Sequence, residues 1–268
     1  MSGDVTLDLN GNTLSSSINA PLFEVNGKVT LKGGTANTTE QLAKVENGGE
    51  LTIVDGTYTA SAADVIRVGT NGTVTINGGE LTGQKGAISC VDGGSTIVVN
   101  RGTLIGTDNS AIATNGSAGM GGNVIEINGG YMEGNVTSPG YEAVGVYVAN
   151  DDIFVMNDGE IVANGGTGLC MRAGDVTING GEITATDVDK NGNIVEDGKI
   201  GDDSTVMEGC SAVIYHETAN YPGKEGMKLT ISGGTITGVD HSVQVLSNEA
   251  LPQVFVTGGT LSPTYPED

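Results

Sequence analysis

Three glutamates and a tyrosine fall at spacings that gather acid groups if the chain coils on itself. Tyr131 and Glu133 lie two residues apart, and Glu160 and Glu182 occupy the place of Tyr131 in the two repeats that follow. On stacked strands the Glu160 and Glu182 carboxylates come roughly 5 Å apart. Like charges that close push one pKa up, and retaining sugar hydrolysis uses a carboxyl pair at this kind of separation. A divalent cation or a solvated acidic face would use the same column, and residue types alone leave the three readings open.

A second acidic group reads Asp187-Val188-Asp189-Lys190-Asn191-Gly192-Asn193-Ile194. It matches the first two thirds of an EF-hand-type calcium loop. Asp187, Asp189 and Asn191 are the candidate metal ligands, Gly192 supplies the sharp turn, and Ca2+ is the one cofactor to which the sequence points. Gly198 stands where the bidentate acid of such a loop belongs, and Glu196 and Asp197 are off register. An Asp/Asn/Gly surface turn is therefore the competing reading. The two histidines, His216 and His241, have Asp240 beside the second. Nothing positions them as a triad, and they read as surface groups.

Aromatic side chains supply the remaining chemistry. Tyr131, Tyr141, Tyr147, Tyr215 and Tyr221 share the stretch that holds the longest loops. Tyr131, Tyr147 and Tyr215 are the candidate ligand-binding residues, since a phenol ring offers an apolar face and a hydroxyl to a sugar. There is no tryptophan, and tyrosines that merely close gaps between repeats would look the same.

The elements that must position these residues are repeats. "VTINGGELTG" at 74–83 recurs as "VTINGGEITA" at 176–185, "LTISGGTITG" at 229–238 and "VFVTGGTLSP" at 254–263. The second glycine of each copy, from Gly34 through Gly56, Gly79 and Gly102 to Gly259, recurs every 22–23 residues except where the chain carries insertions. A fixed period of this size means a solenoid. Val74-Thr75-Ile76 alternates with period two, which is strand and not helix. Each period holds two further short strands, one after the glycines and one half a turn on, such as Ile66-Arg67-Val68. The expected fold is all-β: one right-handed parallel β-helix domain over 1–268, of about ten rungs with three strands per rung.

Asn77, Asn100, Asn128, Asn157 and Asn179 precede the glycine pair in five successive rungs. Stacked amides hydrogen-bond from rung to rung, so this column is expected to be a structural ladder. The main insertion is expected at about 186–210, with smaller ones at 116–122 and 134–143. Loops on a regular solenoid are where function collects.

Bulk composition narrows the partners. Eleven basic residues against 33 acidic ones give a net charge of −22, which excludes a nucleic-acid face and disfavours anionic membranes. No apolar run is long enough to span a bilayer. Three cysteines are neither a disulfide framework nor a zinc set, and Cys90 reads as a small core residue. The opening "MSGDVTLDLNG" has no apolar signal segment, which suits a virion component or a piece of a longer surface protein.

The rung pattern, the asparagine column and the phrase "VTLDLNGNTL" at 5–14 resemble the pectin-lyase-like superfamily of right-handed parallel β-helices, and within it gut-bacterial and phage surface proteins. That resemblance implies either an inert or adhesive shaft or a polysaccharide-degrading enzyme. Pectate lyases use an arginine base beside calcium ligands, and polygalacturonases an Asp cluster beside a histidine. Neither motif can be placed here residue by residue. The expectation is a non-enzymatic virion or cell-surface module contacting a glycan or other surface proteins, its ends covered by oligomerisation or an attached domain. The alternative is a polysaccharide lyase or glycoside hydrolase working through Glu133, Glu160 and Glu182.

Overall fold

The computed structural model describes residues 1–46, 48–138, 140–195, 210–217, 221–247 and 252–263. The chain winds as a right-handed parallel β-helix built on three sheets. The first sheet has ten strands, from Asp4–Asp8 to Gln253–Val256, and the second has ten, from Thr13–Ser16 to Thr260–Pro263. The third has nine, from Phe23–Val25 to His241–Ser247. Each strand pairs in parallel with the equivalent strand one coil away, as when Val74 stands between Leu51 and Ile97.

Alternation decides the core. In the first sheet Leu31, Ile53, Ile76, Val99, Ile127, Met156, Ile178 and Ile231 form one inward column through successive register pairs. All are buried in a single hydrophobic cluster that runs the length of the coil. Full burial of such a side chain is worth about 1.5–3 kcal/mol, and each rung supplies the cover for the next. At the last described rung that cover stops, and the inward-facing Val256 and Leu261 are 50% and 38% exposed.

The recurring glycine pair has a steric cause. At Gly78 an added Cβ would come 2.7 Å from the carbonyl oxygen of Val54, in the rung before. Gly79 has φ +87°, and its Cβ would lie 2.7 Å from Gly56 O. The corner between the first and second sheets therefore needs close rung-to-rung approach at both positions and left-handed backbone at the second.

The main insertion separates Glu182–Thr186 of the second sheet from Ser211–Glu217 of the third; residues 196–209 within it lie outside the described residues. The loop expected at 134–143 is shorter, because Gly134 and Asn135 still belong to the strand Tyr131–Asn135 and Ala143 begins the next.

Candidate functional site

The corner after the first sheet carries an unbroken amide chain. Asn100 Nδ2 donates to Asn77 Oδ1 at 2.8 Å, Asn128 to Asn100 at 3.1 Å, Asn157 to Asn128 at 2.8 Å and Asn179 to Asn157 at 2.9 Å. The Ser232 hydroxyl ends the chain on Asn179 Oδ1 at 2.8 Å. Each internal amide gives one hydrogen bond down and takes one from above, so these side chains are committed to one another.

Beyond this corner lies the outward face of the second sheet. Register pairs stack Tyr131 on Glu160 and Glu160 on Glu182. Tyr131 Oη donates to Glu133 Oε2 at 2.6 Å, and Asn135 Nδ2 donates to Glu133 Oε1 at 2.8 Å. Asn135 is itself anchored, donating to Gly106 O and accepting from Asn164 Nδ2, each at 3.0 Å. Both oxygens of Glu133 are thus held by the protein. Partial burial, followed by the bond to Glu133 and its charge, raises the Tyr131 hydroxyl pKa, so the phenol stays protonated as a donor.

Glu160 and Glu182 differ from Glu133. Both are exposed, and among the described residues their carboxylates accept no side-chain hydrogen bond. They rim a groove of roughly 550 Å³ with Asp158, floored by the Gly129-Gly130, Gly159 and Gly181 backbone and closed at one side by Thr235. A ligand here would meet peptide edges and carboxylates that accept from hydroxyl or amine donors. Among the described residues no cation lines the groove, so a uronate would be repelled.

The remaining tyrosines lie elsewhere. Tyr215 faces inward, in register with the buried Met171, and is fully buried in the core. Its ring is out of reach of any ligand, a correction to its place among the candidate binding residues. Tyr147 sits on the third sheet, packed with Val144, Cys170 and Ile214, and hydrogen-bonds to Tyr221 Oη at 3.2 Å. Burial first raises its hydroxyl pKa, with Arg172 opposing. The fully buried Arg172 lies 4.9 Å from the centre of the Tyr221 ring, a cation–π geometry. Tyr221–Glu225 and Gly116–Ala118 bound an open cleft of about 810 Å³ at this corner. Tyr131 and Tyr147 therefore serve different sheets and build no common stacking platform.

The acidic insertion folds as a tight turn, with Val188 bridged to Ile194 in antiparallel sense. Asp189 Oδ1 accepts from the backbone N–H groups of Asn191 and Asn193, both at 2.8 Å. Its Oδ2 accepts from Asn193 Nδ2 at 2.9 Å and Asn191 Nδ2 at 3.4 Å. These bonds, those from Asn193 first, pull the carboxyl down to about 2. Asn191 turns its NH2 toward the carboxylate, and Asp187 contributes its carbonyl to Val195 N at 2.7 Å. No group of three or more His, Cys, Asp or Glu with metal-binding geometry occurs among the described residues. Glu196, Asp197, Gly198 and the His216 side chain lie outside the described residues, while the His241 side chain is exposed.

Fold and surface together define a β-solenoid repeat protein whose regular core presents a polar, acid-rimmed lateral groove. Comparison with protein-family models, with curated proteins and with solved structures gives no match. No helix among the described residues is long and apolar enough to cross a membrane.

Proposed function

We propose that this chain is a non-enzymatic surface module, a rigid shaft of a virion or cell surface within the pectin-lyase-like group, that holds a neutral or amino-sugar glycan along its second sheet. The carrying observation is the groove beside Tyr131, with Glu160 and Glu182 open to donors and Glu133 already spent on Tyr131 and Asn135. Acid–base catalysis needs a carboxyl held by its surroundings in the right protonation state. The one carboxylate here that hydrogen bonds orient, among the described residues, has both oxygens engaged by its own neighbours. Where the stack ends, at Val256 and Leu261, a further rung, a second copy or an attached domain would continue it.

The competing reading, a lyase or hydrolase, draws on the register pairing of Glu160 with Glu182. Incubation with neutral, amino and uronate polysaccharides separates the two, reading binding by calorimetry and cleavage by new reducing ends or unsaturated uronate absorbance. Binding without turnover, lost in Tyr131→Ala and weakened in Glu160→Gln, supports the shaft. Turnover abolished by Glu160→Gln or Glu182→Gln overturns it.

A further inference from the structure

Asp152 plays no part in the groove, yet its side chain is fully buried. It ends a polar chain inside the corner between the third and first sheets. Ser95 Oγ donates to Gly69 O at 2.8 Å, and Ser95 N donates to Asn123 Oδ1 at 3.0 Å. Asn123 then donates to Asp152 Oδ1 through both its backbone N–H and its Nδ2, at 2.9 Å each. Asp152 Oδ2 has no hydrogen-bond partner among the described residues. The groups facing the carboxyl are the Thr114 hydroxyl, Asn123, the Asp151 carboxylate from its own loop and the buried Cys90 thiol from two rungs earlier. None of them is a cation. A buried carboxylate with one bare oxygen and no counter-charge is costly, and a proton on that oxygen removes the cost.

The corner also seats two loops. A Cβ on Gly121 would meet Asp151 Oδ1 at 1.8 Å, and one on Gly223 would meet Asp151 Cα at 2.7 Å. The segments 116–122 and 221–226, which wall the larger cleft, therefore rest against the residue next to Asp152. We infer that Asp152 is a proton-operated latch: mildly acidic medium protonates its free oxygen and tightens the corner that seats both loops, and neutral medium loosens it.

Burial is the main cause that lifts this carboxyl to about 6, with Thr114 and Asn123 opposing and Asp151 adding. The folded value lies above the unfolded value of 3.8. Stability is therefore gained as pH falls from above 6 toward 4, and is constant below the unfolded value. Asp64 is a second acid, half-buried and lifted to about 6 by burial although Arg67 and Lys85 oppose it, so Asp64→Asn measures its separate share of the slope and amide protection in 116–122 tells the two apart.

The test follows unfolding of the whole chain from about pH 8 to about pH 4, together with a carbon-13 titration of the Asp152 carboxyl in the wild type. From this group the wild type gains on the order of 100-fold in its folding equilibrium across that range. Asp152→Asn keeps the Oδ1 acceptor, begins more stable at neutral pH and loses that part of the slope, whereas Asp64→Asn loses only the separate part that Asp64 contributes. Amide protection in 116–122 rises on acidification in the wild type and not in Asp152→Asn. An Asp152 carboxyl that titrates below about 4, the model-compound value for Asp, overturns the latch. So does an unchanged slope in Asp152→Asn. If that variant does not fold, the wild-type titration decides by itself.

Discussion

Removing one amide from the asparagine ladder should cost in proportion to its position. Asn128 is internal: it donates to Asn100 and accepts from Asn157. Asn77 starts the ladder and only accepts, from Asn100. A net intramolecular hydrogen bond is worth about 0.5–1.5 kcal/mol, and Asn128 is half-buried, so neither extreme applies. Asn128→Ala should lose about 2 kcal/mol and Asn77→Ala about 1 kcal/mol. At this chain length that corresponds to a fall of about 4–8 °C for the first and about half as much for the second. Asn128→Asp sharpens the test, because an acceptor would then face Asn100 Oδ1 while the bond from Asn157 survives. It should be the least stable of the three near neutrality and recover on acidification, as protonation restores a donor. Urea unfolding followed by circular dichroism gives the ranking, and amide exchange in the adjacent rungs localises the loss. Equal costs at Asn77 and Asn128, or an Asn128→Asp variant insensitive to pH, would refute the idea that the ladder is a directional chain of amides.

Four further outcomes follow from local geometry. The Asp189 carboxylate already holds four N–H donors, so calcium and EDTA should give the same melting midpoint, and a calcium-dependent rise would show oxygen ligands turning to a cation. Because that carboxyl is pulled down to about 2, its contribution is fully present above the ordinary Asp value and is lost as pH falls from there through 2; the Asn191 and Asn193 amide shifts should hold steady until pH nears 2. Gly134→Ala would set a Cβ 1.9 Å from the carbonyl oxygen of Val144, whereas Gly192→Ala at φ +83° meets open space. Chemical denaturation should show about 3 kcal/mol lost at the first and about 1 kcal/mol at the second. Tyr58→Phe removes the buried hydroxyl that donates to Asp55 O at 2.7 Å, and should cost about 1 kcal/mol with the fold intact.

The sequence makes the solenoid legible because two periods coincide: alternation within a strand, and 22–23 residues between glycine pairs. The asparagine ladder is readable for the same reason, since each member is fixed in place by the residue pair that follows it. Tyr215 is misread because its strand, Ser211–Glu217, follows the long insertion, where no glycine pair anchors the alignment. Once Tyr215 is set against Met171 and Val148, its inward direction is plain. Asn135 and Asn164 form a second short amide pair that goes unnoticed because Asn135 looks like the start of a loop. Asp152 is hidden more deeply. The adjacent Asp151 and Asp152 carry no signal in the sequence, and only the hydrogen bonds reveal the second of them above Ser95 and Asn123 in one enclosed column.

The distribution of buried polar groups then says where this chain departs from being a plain shaft. Among the described residues, Thr38 and the Tyr58 hydroxyl are the only buried polar side-chain groups before Ser95, whereas Thr114, Asn123, Asn135, Glu142, Asn150, Asp152, Thr167 and Arg172 are all enclosed in the middle rungs. A solenoid rung needs none of these: the first four coils close with apolar residues, threonines and glycines. Burying an amide or a charge is costly unless every partner is supplied, and Asn123, Asn135 and Asn150 each have theirs while Asp152 Oδ2 has none among the described residues. The same rungs carry the two smaller loops, the groove rimmed by Glu160 and Glu182, and one wall of the cleft at Tyr221. Binding sites commonly trade stability for shape in this way, so the glycan-holding surface proposed above belongs with these rungs and not with the regular coils before Ser95.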